Sequence, residues 1–170
     1  MVPKKIFIIV VIAALAIGGA AVALLRNNST NSGQTTSTNT SAAVQQGTSL
    51  DYSGQGLTAF PKAALNRTDV TSLNLSNNSL TGALPAEIRT LTNLEQLDVS
   101  NNNMTGIPAE IGQLKHLKVL NYANNQITGL PNELGNLTGL QTFDLSGNPK
   151  VSQQDLSGIR AKLPNTTIKL

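Results

Sequence analysis

The sequence predicts an α/β solenoid carried behind an N-terminal membrane helix, and three observations predict it. A motif returns four times, beginning at Val70, Leu94, Leu117 and Leu140, with starts 24, 23 and 23 residues apart. Within each return, apolar residues sit two apart, as in Leu73 and Leu75 or Leu97 and Val99. Ahead of the repeats, Ile6 to Leu25 is an unbroken run of 20 apolar or glycine residues. A strict period in this range means units that stack and bury a shared core. Such an architecture predicts a displayed surface rather than a catalytic pocket.

Residues 1–26 are expected to form a signal-anchor. A helix over residues 6–25 would be ~30 Å long, about the thickness of the hydrocarbon layer. Cleaved signal peptides carry a shorter apolar region of roughly 7–15 residues. The length therefore favours an uncleaved anchor, with Ala21-Val22-Ala23 leaving cleavage and secretion as the alternative. Lys4 and Lys5 precede the run and only Arg26 follows it, which places the N-terminus in the cytoplasm and the remainder outside. Residues 27–48 are Asn-, Ser-, Thr-, Gln- and Gly-rich, uncharged, and hold only Ala42, Ala43 and Val44 as apolar side chains. Such a stretch reads as a disordered tether spanning roughly 25 Å root-mean-square.

The repeat domain is expected over residues 49–170. It divides into an N-terminal cap unit (49–69), repeats at 70–93, 94–116 and 117–139, and a C-terminal repeat with its cap (140–170). One inward column reads Leu50, Leu73, Leu97, Leu120, Phe143, and a second Tyr52, Leu75, Val99, Tyr122, Leu145. Their period of two predicts a short strand with one buried face. A third column is Leu57, Leu80, Met104 and Ile127. Phe60-Pro61, Leu84-Pro85, Ile107-Pro108 and Leu130-Pro131 then predict an extended or 3₁₀ return segment, because proline lacks a donor and restrains the residue before it. Asn78, Asn102, Asn125 and Asn148 recur once per unit and predict a structural ladder, since a buried amide both donates and accepts. Gly82, Gly106 and Gly129 follow Thr at one position and predict a turn with positive φ.

The pattern LxxLxLxxNxLTGxLPxxIxxLxx, seen from Val70 to Asn93, resembles the leucine-rich repeat family. Ile107-Pro-Ala-Glu-Ile-Gly and Leu130-Pro-Asn-Glu-Leu-Gly resemble its LPxxIGxL-type members, and the likeness runs from about Thr48 to Leu170. The resemblance implies a horseshoe with short parallel strands on its concave face and a protein or peptide partner; together with the apolar run of residues 6–25, the reading is a membrane-anchored surface protein of bacterial type. At the ends the pattern changes. Gln55 stands where the ladder asparagine should be and Arg67 where later units have leucine, which marks an N-terminal cap. Ser152-Gln-Gln-Asp155 reads as a capping box that opens a C-terminal capping helix with Leu156, Ile159 and Leu163 on its apolar stripe. Pro164-Asn165 stops that helix, and Thr167 to Leu170 can add a last strand.

The candidate binding face consists of the positions flanking the first inward column. Asp51, Asn74, Asp98, Asn121 and Asp144 form one column; Ser49, Ser72, Gln96, Val119 and Thr142 form its neighbour. A polar, mildly acidic strip of this kind suits an extended partner or a polar polymer, and equally serves to keep a sheet face soluble. It holds no Trp, Tyr or Arg, the residues that dominate binding hot spots.

Catalysis is not expected. The chain has no Cys, one histidine (His116, in a turn between units), and no nucleophile elbow, phosphate loop or metal-ligand cluster. No cofactor or metal is expected. Asp144-Leu-Ser-Gly-Asn148 with Asp155 imitates a calcium loop, but Pro149 stands where that loop needs glycine. The net charge of +3 equals the contribution of Lys4, Lys5 and Arg26, so no basic face for nucleic acid exists. The expected function is membrane-tethered, extracytoplasmic, non-catalytic recognition by a monomeric ectodomain. Structural or adhesive spacing without a single cognate ligand is the alternative, as is a secreted binding protein.

Overall fold

The computed structural model describes residues 48–170; the anchor expected over 6–25 and the tether up to residue 47 lie outside the described residues. Among the described residues there are eight strands: β1 (Thr48–Asp51), β2 (Val70–Asn74), β3 (Thr81–Gly82), β4 (Gln96–Asp98), β5 (Asn103–Met104), β6 (Val119–Asn121), β7 (Thr142–Asp144) and β8 (Thr167–Lys169). One six-stranded sheet runs β1-β2-β4-β6-β7-β8, parallel throughout, and β3 pairs with β5 in a second, two-stranded sheet. β1 starts at Thr48, which the composition alone assigns to the tether.

The register explains why the sequence period is strict. Leu50, Leu73, Leu97, Leu120, Phe143 and Ile168 are aligned across the sheet. All but the two terminal members have no solvent exposure. Leu75, Val99, Tyr122 and Leu145 are buried beside them, as are Leu80, Met104 and Ile127 of the third column. A one-residue slip in any strand would carry its apolar set onto the solvent face.

Among the described residues the chain returns through four five-residue 3₁₀ helices, Lys62–Asn66, Ala86–Thr90, Ala109–Gln113 and Asn132–Asn136. Pro61, Pro85, Pro108 and Pro131 precede them in extended conformation. Each proline carbonyl accepts the N–H of the buried residue three further on (Ala64, Ile88, Ile111, Leu134), at 2.9–3.2 Å. Proline suits this place because it supplies the acceptor and has no amide left over. Gly112 marks where two return segments touch: a Cβ there would stand 2.2 Å from the carbonyl oxygen of Glu133.

Two expectations need correction. Of Gly82, Gly106 and Gly129, only Gly82 has positive φ (+72°). The left-handed position is instead the column Gly54, Asn77, Asn101, Asn124, Gly147, one residue before each ladder position. Asparagine tolerates this region better than other side chains. The C-terminal helix α1 (Gln153–Lys162) has only half of a capping box. Ser152 Oγ accepts the Asp155 N–H at 3.2 Å, but the Asp155 carboxylate turns away and accepts the N–H of Leu130 at 3.0 Å. The Ser152 N–H is taken by the Thr128 carbonyl, so both residues tie the cap to the preceding repeat. Leu156, Ile159 and Leu163 are buried against that repeat.

Candidate binding face

Alternation along the strands puts two polar columns opposite the buried ones. The register aligns Asp51, Asn74, Asp98, Asn121 and Asp144 in one row and extends it with Lys169. Ser49, Ser72, Gln96, Val119 and Thr142 are aligned in the next, extended by Thr167. The centre of this face is a shallow groove of about 190 Å³ lined by Ser72, Asn74, Gln96, Asp98, Val119 and Asn121, with Leu73 and Leu97 below.

The first row is less free than its polarity suggests. Each member's side-chain oxygen accepts the backbone N–H two residues on: Asp51 from Ser53, Asn74 from Ser76, Asp98 from Ser100, Asn121 from Ala123 and Asp144 from Ser146, at 2.8–3.0 Å. These Asx turns end β1, β2, β4, β6 and β7 in the same way. Ser100 Oγ also donates to Asp98, and Asn121 Nδ2 donates to the second Asp98 oxygen at 3.0 Å. Lys169 Nζ lies 3.4 Å from Asp144. The turns were missed in the sequence, although an Asp or Asn followed two residues later by Ser, as in Asp98-Val-Ser100, is the signal that points to them.

Electrostatics agree with this structural duty. The Ser53 backbone N–H and hydroxyl hold Asp51 below the ordinary carboxylate value. At Asp144, partial burial acts to raise the pKa, but bonds from Ser146 and the charge of Lys169 outweigh it and leave a net depression. Both groups therefore remain anions at neutral pH, suited to accepting hydrogen bonds rather than donating protons.

The second row is different. Ser72, Gln96 and Thr142 make no side-chain hydrogen bond within the described residues, and Gln96 is exposed while Ser72, Val119 and Thr142 are partly exposed. Beside it, Lys118 and Glu95 form an exposed ion pair at 2.8 Å.

The asparagines of the ladder position are spent inside the fold. Asn102 Oδ1 accepts the N–H of Leu80, while its amide donates to the carbonyls of Leu75, Val99 and Ser100 at 3.0–3.1 Å. Asn125 and Asn148 repeat the arrangement one and two units on, and Asn78 bonds back to Tyr52, Gln55 and Leu57 of the first unit. Asn78 is only half-buried, being next to the end of the stack. The calcium-loop imitation dissolves here, because Asn148 and Asp155 both hold backbone amides of the preceding unit. His116 is exposed, and among the described residues no three His, Asp or Glu side chains are placed to share a metal ion.

A family model described as a leucine-rich repeat region matches residues 69–169, well over half of the chain. The chain belongs to the leucine-rich repeat family. Receptor-like protein 32 of Arabidopsis thaliana is 40% identical over 59 residues, which is 35% of this chain and 7% of that protein. Among solved structures, a leucine-rich repeat protein of Leptospira interrogans is similar at 42% identity and a TM-score of 0.62, over 66% of this chain and 28% of that one. The plant peptide hormone receptor RGFR1, in complex with RGF2, is similar at 31% identity and a TM-score of 0.55, over 65% of this chain and 18% of that one. This leucine-rich repeat chain thus spans less than a third of the length of each of these relatives.

Proposed function

We propose that this leucine-rich repeat chain is a non-catalytic recognition module, displayed outside the cytoplasm on an N-terminal anchor, which captures a protein or peptide on the outer face of its six-stranded sheet. The observation that carries this reading is the row Ser72, Gln96, Val119 and Thr142. Its polar side chains stand on a rigid sheet with their hydrogen-bonding groups uncommitted, whereas the neighbouring row is occupied in turns. An extended partner laid across the strands meets one side chain of this row per unit, polar at Ser72, Gln96 and Thr142 and apolar at Val119. Its similarity to a peptide hormone receptor solved with RGF2 supports a peptide or protein ligand. The apolar run of residues 6–25, long enough as a helix to cross a bilayer, supports tethering.

The absence of Trp, Tyr and Arg from both rows favours a second reading, a surface spacer with no single ligand. A photo-crosslinking residue placed at Val119, and separately at Glu110 on the return segment, tests the choice on intact cells. Recognition predicts a discrete adduct from position 119 and none from 110. Adducts from 110 alone would move the site to the other side, and none from either would favour the spacer. Recovery of a chain beginning near Leu24 in the medium would replace the anchored reading with a secreted one.

A further inference from the structure

Among the described residues the six-stranded sheet ends in two open edges, β1 and β8. In a parallel ladder each residue points both its N–H and its C=O to one side, and the sides alternate along the strand. Tyr52 N–H donates to Asn74, so the even residues of β1 face β2, and Ser49 and Asp51 point their backbone groups to the open side. Thr167 N–H donates to Gln141 and Lys169 C=O accepts from Leu145, so Ile168 points its backbone groups away from β7. The two edges are therefore complementary halves of the ladder step that every internal pair makes. Unpaired edges of this kind template further pairing.

We propose that copies of this chain associate head to tail, with β8 of one lying parallel to β1 of the next and the repeat columns running on across the junction. The register that continues the sheet sets Thr167 beside Ser49, Ile168 beside Leu50 and Lys169 beside Asp51 of the second copy. The side chains match column by column. Lys169 is half-exposed and already bonds Asp144 on its inner side, and its outer side meets the exposed Asp51 carboxylate. Ile168 and Leu50, the ends of the first inward column, are both only partly buried. Leu170, 57% exposed, continues the second column and borders an apolar groove of about 260 Å³ with Pro149 and Val151. The groove lies where the half-buried Tyr52 and Leu57 of a following copy belong.

Charge disfavours one of the reversed pairings. The unit that carries β1, residues 48–69, holds two Lys or Arg against two Asp or Glu, and residues 145–170 hold four against one. Two C-terminal ends brought together would place like charge on like. The contact is heterologous and does not close, so it builds open chains rather than a dimer.

Sedimentation velocity of the full chain, in one mild detergent at all concentrations, is expected to show mass rising beyond a dimer with concentration and falling with added salt. The chain has no cysteine, so introduced thiols report alone. Mixing Asp51→Cys chains with Lys169→Cys chains under mild oxidation is expected to give disulfide-linked pairs that neither variant forms by itself. Ser49→Cys with Thr167→Cys serves the same purpose should either first variant lose its circular dichroism spectrum. A constant monomer mass overturns the proposal. So does cross-linking of Asp51→Cys or Lys169→Cys alone as efficient as the mixture, because it means that like ends meet.

Discussion

At the residue scale, three successive asparagines show how one residue type does three jobs. Asn101 occupies the left-handed region at φ +55°, Asn102 holds the backbone of two neighbouring units, and Asn103 is exposed in β5. Replacing Asn102 by Leu removes the acceptor for Leu80 N–H and the donor for the carbonyls of Leu75 and Val99 in a buried place. The loss is expected to cost roughly 3 kcal/mol, since buried amides left unpaired cost more than the bond itself contributes. Thermal or urea unfolding checks it, and an unchanged midpoint would remove the ladder from the account. Tyr122 supplies the opposite sign. Its hydroxyl is buried with no partner among the described residues, and burial pushes its pKa far up. Tyr122→Phe is therefore expected to hold stability or raise it by about 1 kcal/mol, because it deletes an unsatisfied group at little cost in volume. Repetition made the ladder column readable in the sequence, while the left-handed column was not, because Gly and Asn share it and adjacent asparagines disguise it.

At the element scale, close approach of backbones separates glycines that look alike in the sequence. Gly112 sits where one 3₁₀ turn presses on the next, and a methyl group would meet a backbone carbonyl that cannot step aside. Gly106 has ordinary φ, and its nearest neighbour would be the Ala83 side chain at 3.8 Å. Gly112→Ala is expected to destabilise by about 1–3 kcal/mol through overpacking, and Gly106→Ala to be neutral or slightly stabilising. Equal effects in denaturant unfolding would contradict the packing described for the return segments. The last strand supplies a pH test. The Asp144 pKa lies below its ordinary value of 3.8, so its contribution is complete above that value and fades as pH falls through the depressed one. Wild type is expected to exceed Asp144→Asn by less than about 1 kcal/mol at neutral pH, with the gap closing below about pH 4. The variant keeps an acceptor for Ser146 N–H, as Asn74 and Asn121 do for theirs, so melting curves isolate the charge. A gap that persists at pH 2 would assign the effect to something else.

At the scale of the whole molecule, strands, core columns and turns were legible because each column repeats in four or five units, and a misreading in one unit is corrected by the others. The caps were partly legible. The capping helix shows in Ser152 and the Leu156, Ile159, Leu163 stripe, but the bond from Leu130 N–H to Asp155 joins residues 25 apart and leaves no local pattern. The candidate face was the hardest part. Position on the strand marks Asp51, Asn74, Asp98, Asn121 and Asp144 as strongly as Ser72, Gln96, Val119 and Thr142. Only three-dimensional geometry shows that the first set ends strands while the second projects uncommitted. Substitutions in the first set disturb turns as well as any ligand, so the second set provides the cleaner probe of recognition. The direct measurement is capture of the partner found by cross-linking at Val119, compared between the wild-type chain and the Gln96→Arg, Val119→Glu double variant, with unfolding midpoints measured in parallel. Recognition on the sheet face predicts that capture falls at least tenfold while the midpoint stays within a few degrees, since a 1.4 kcal/mol loss of binding is already about tenfold. Undiminished capture by the folded variant would contradict it.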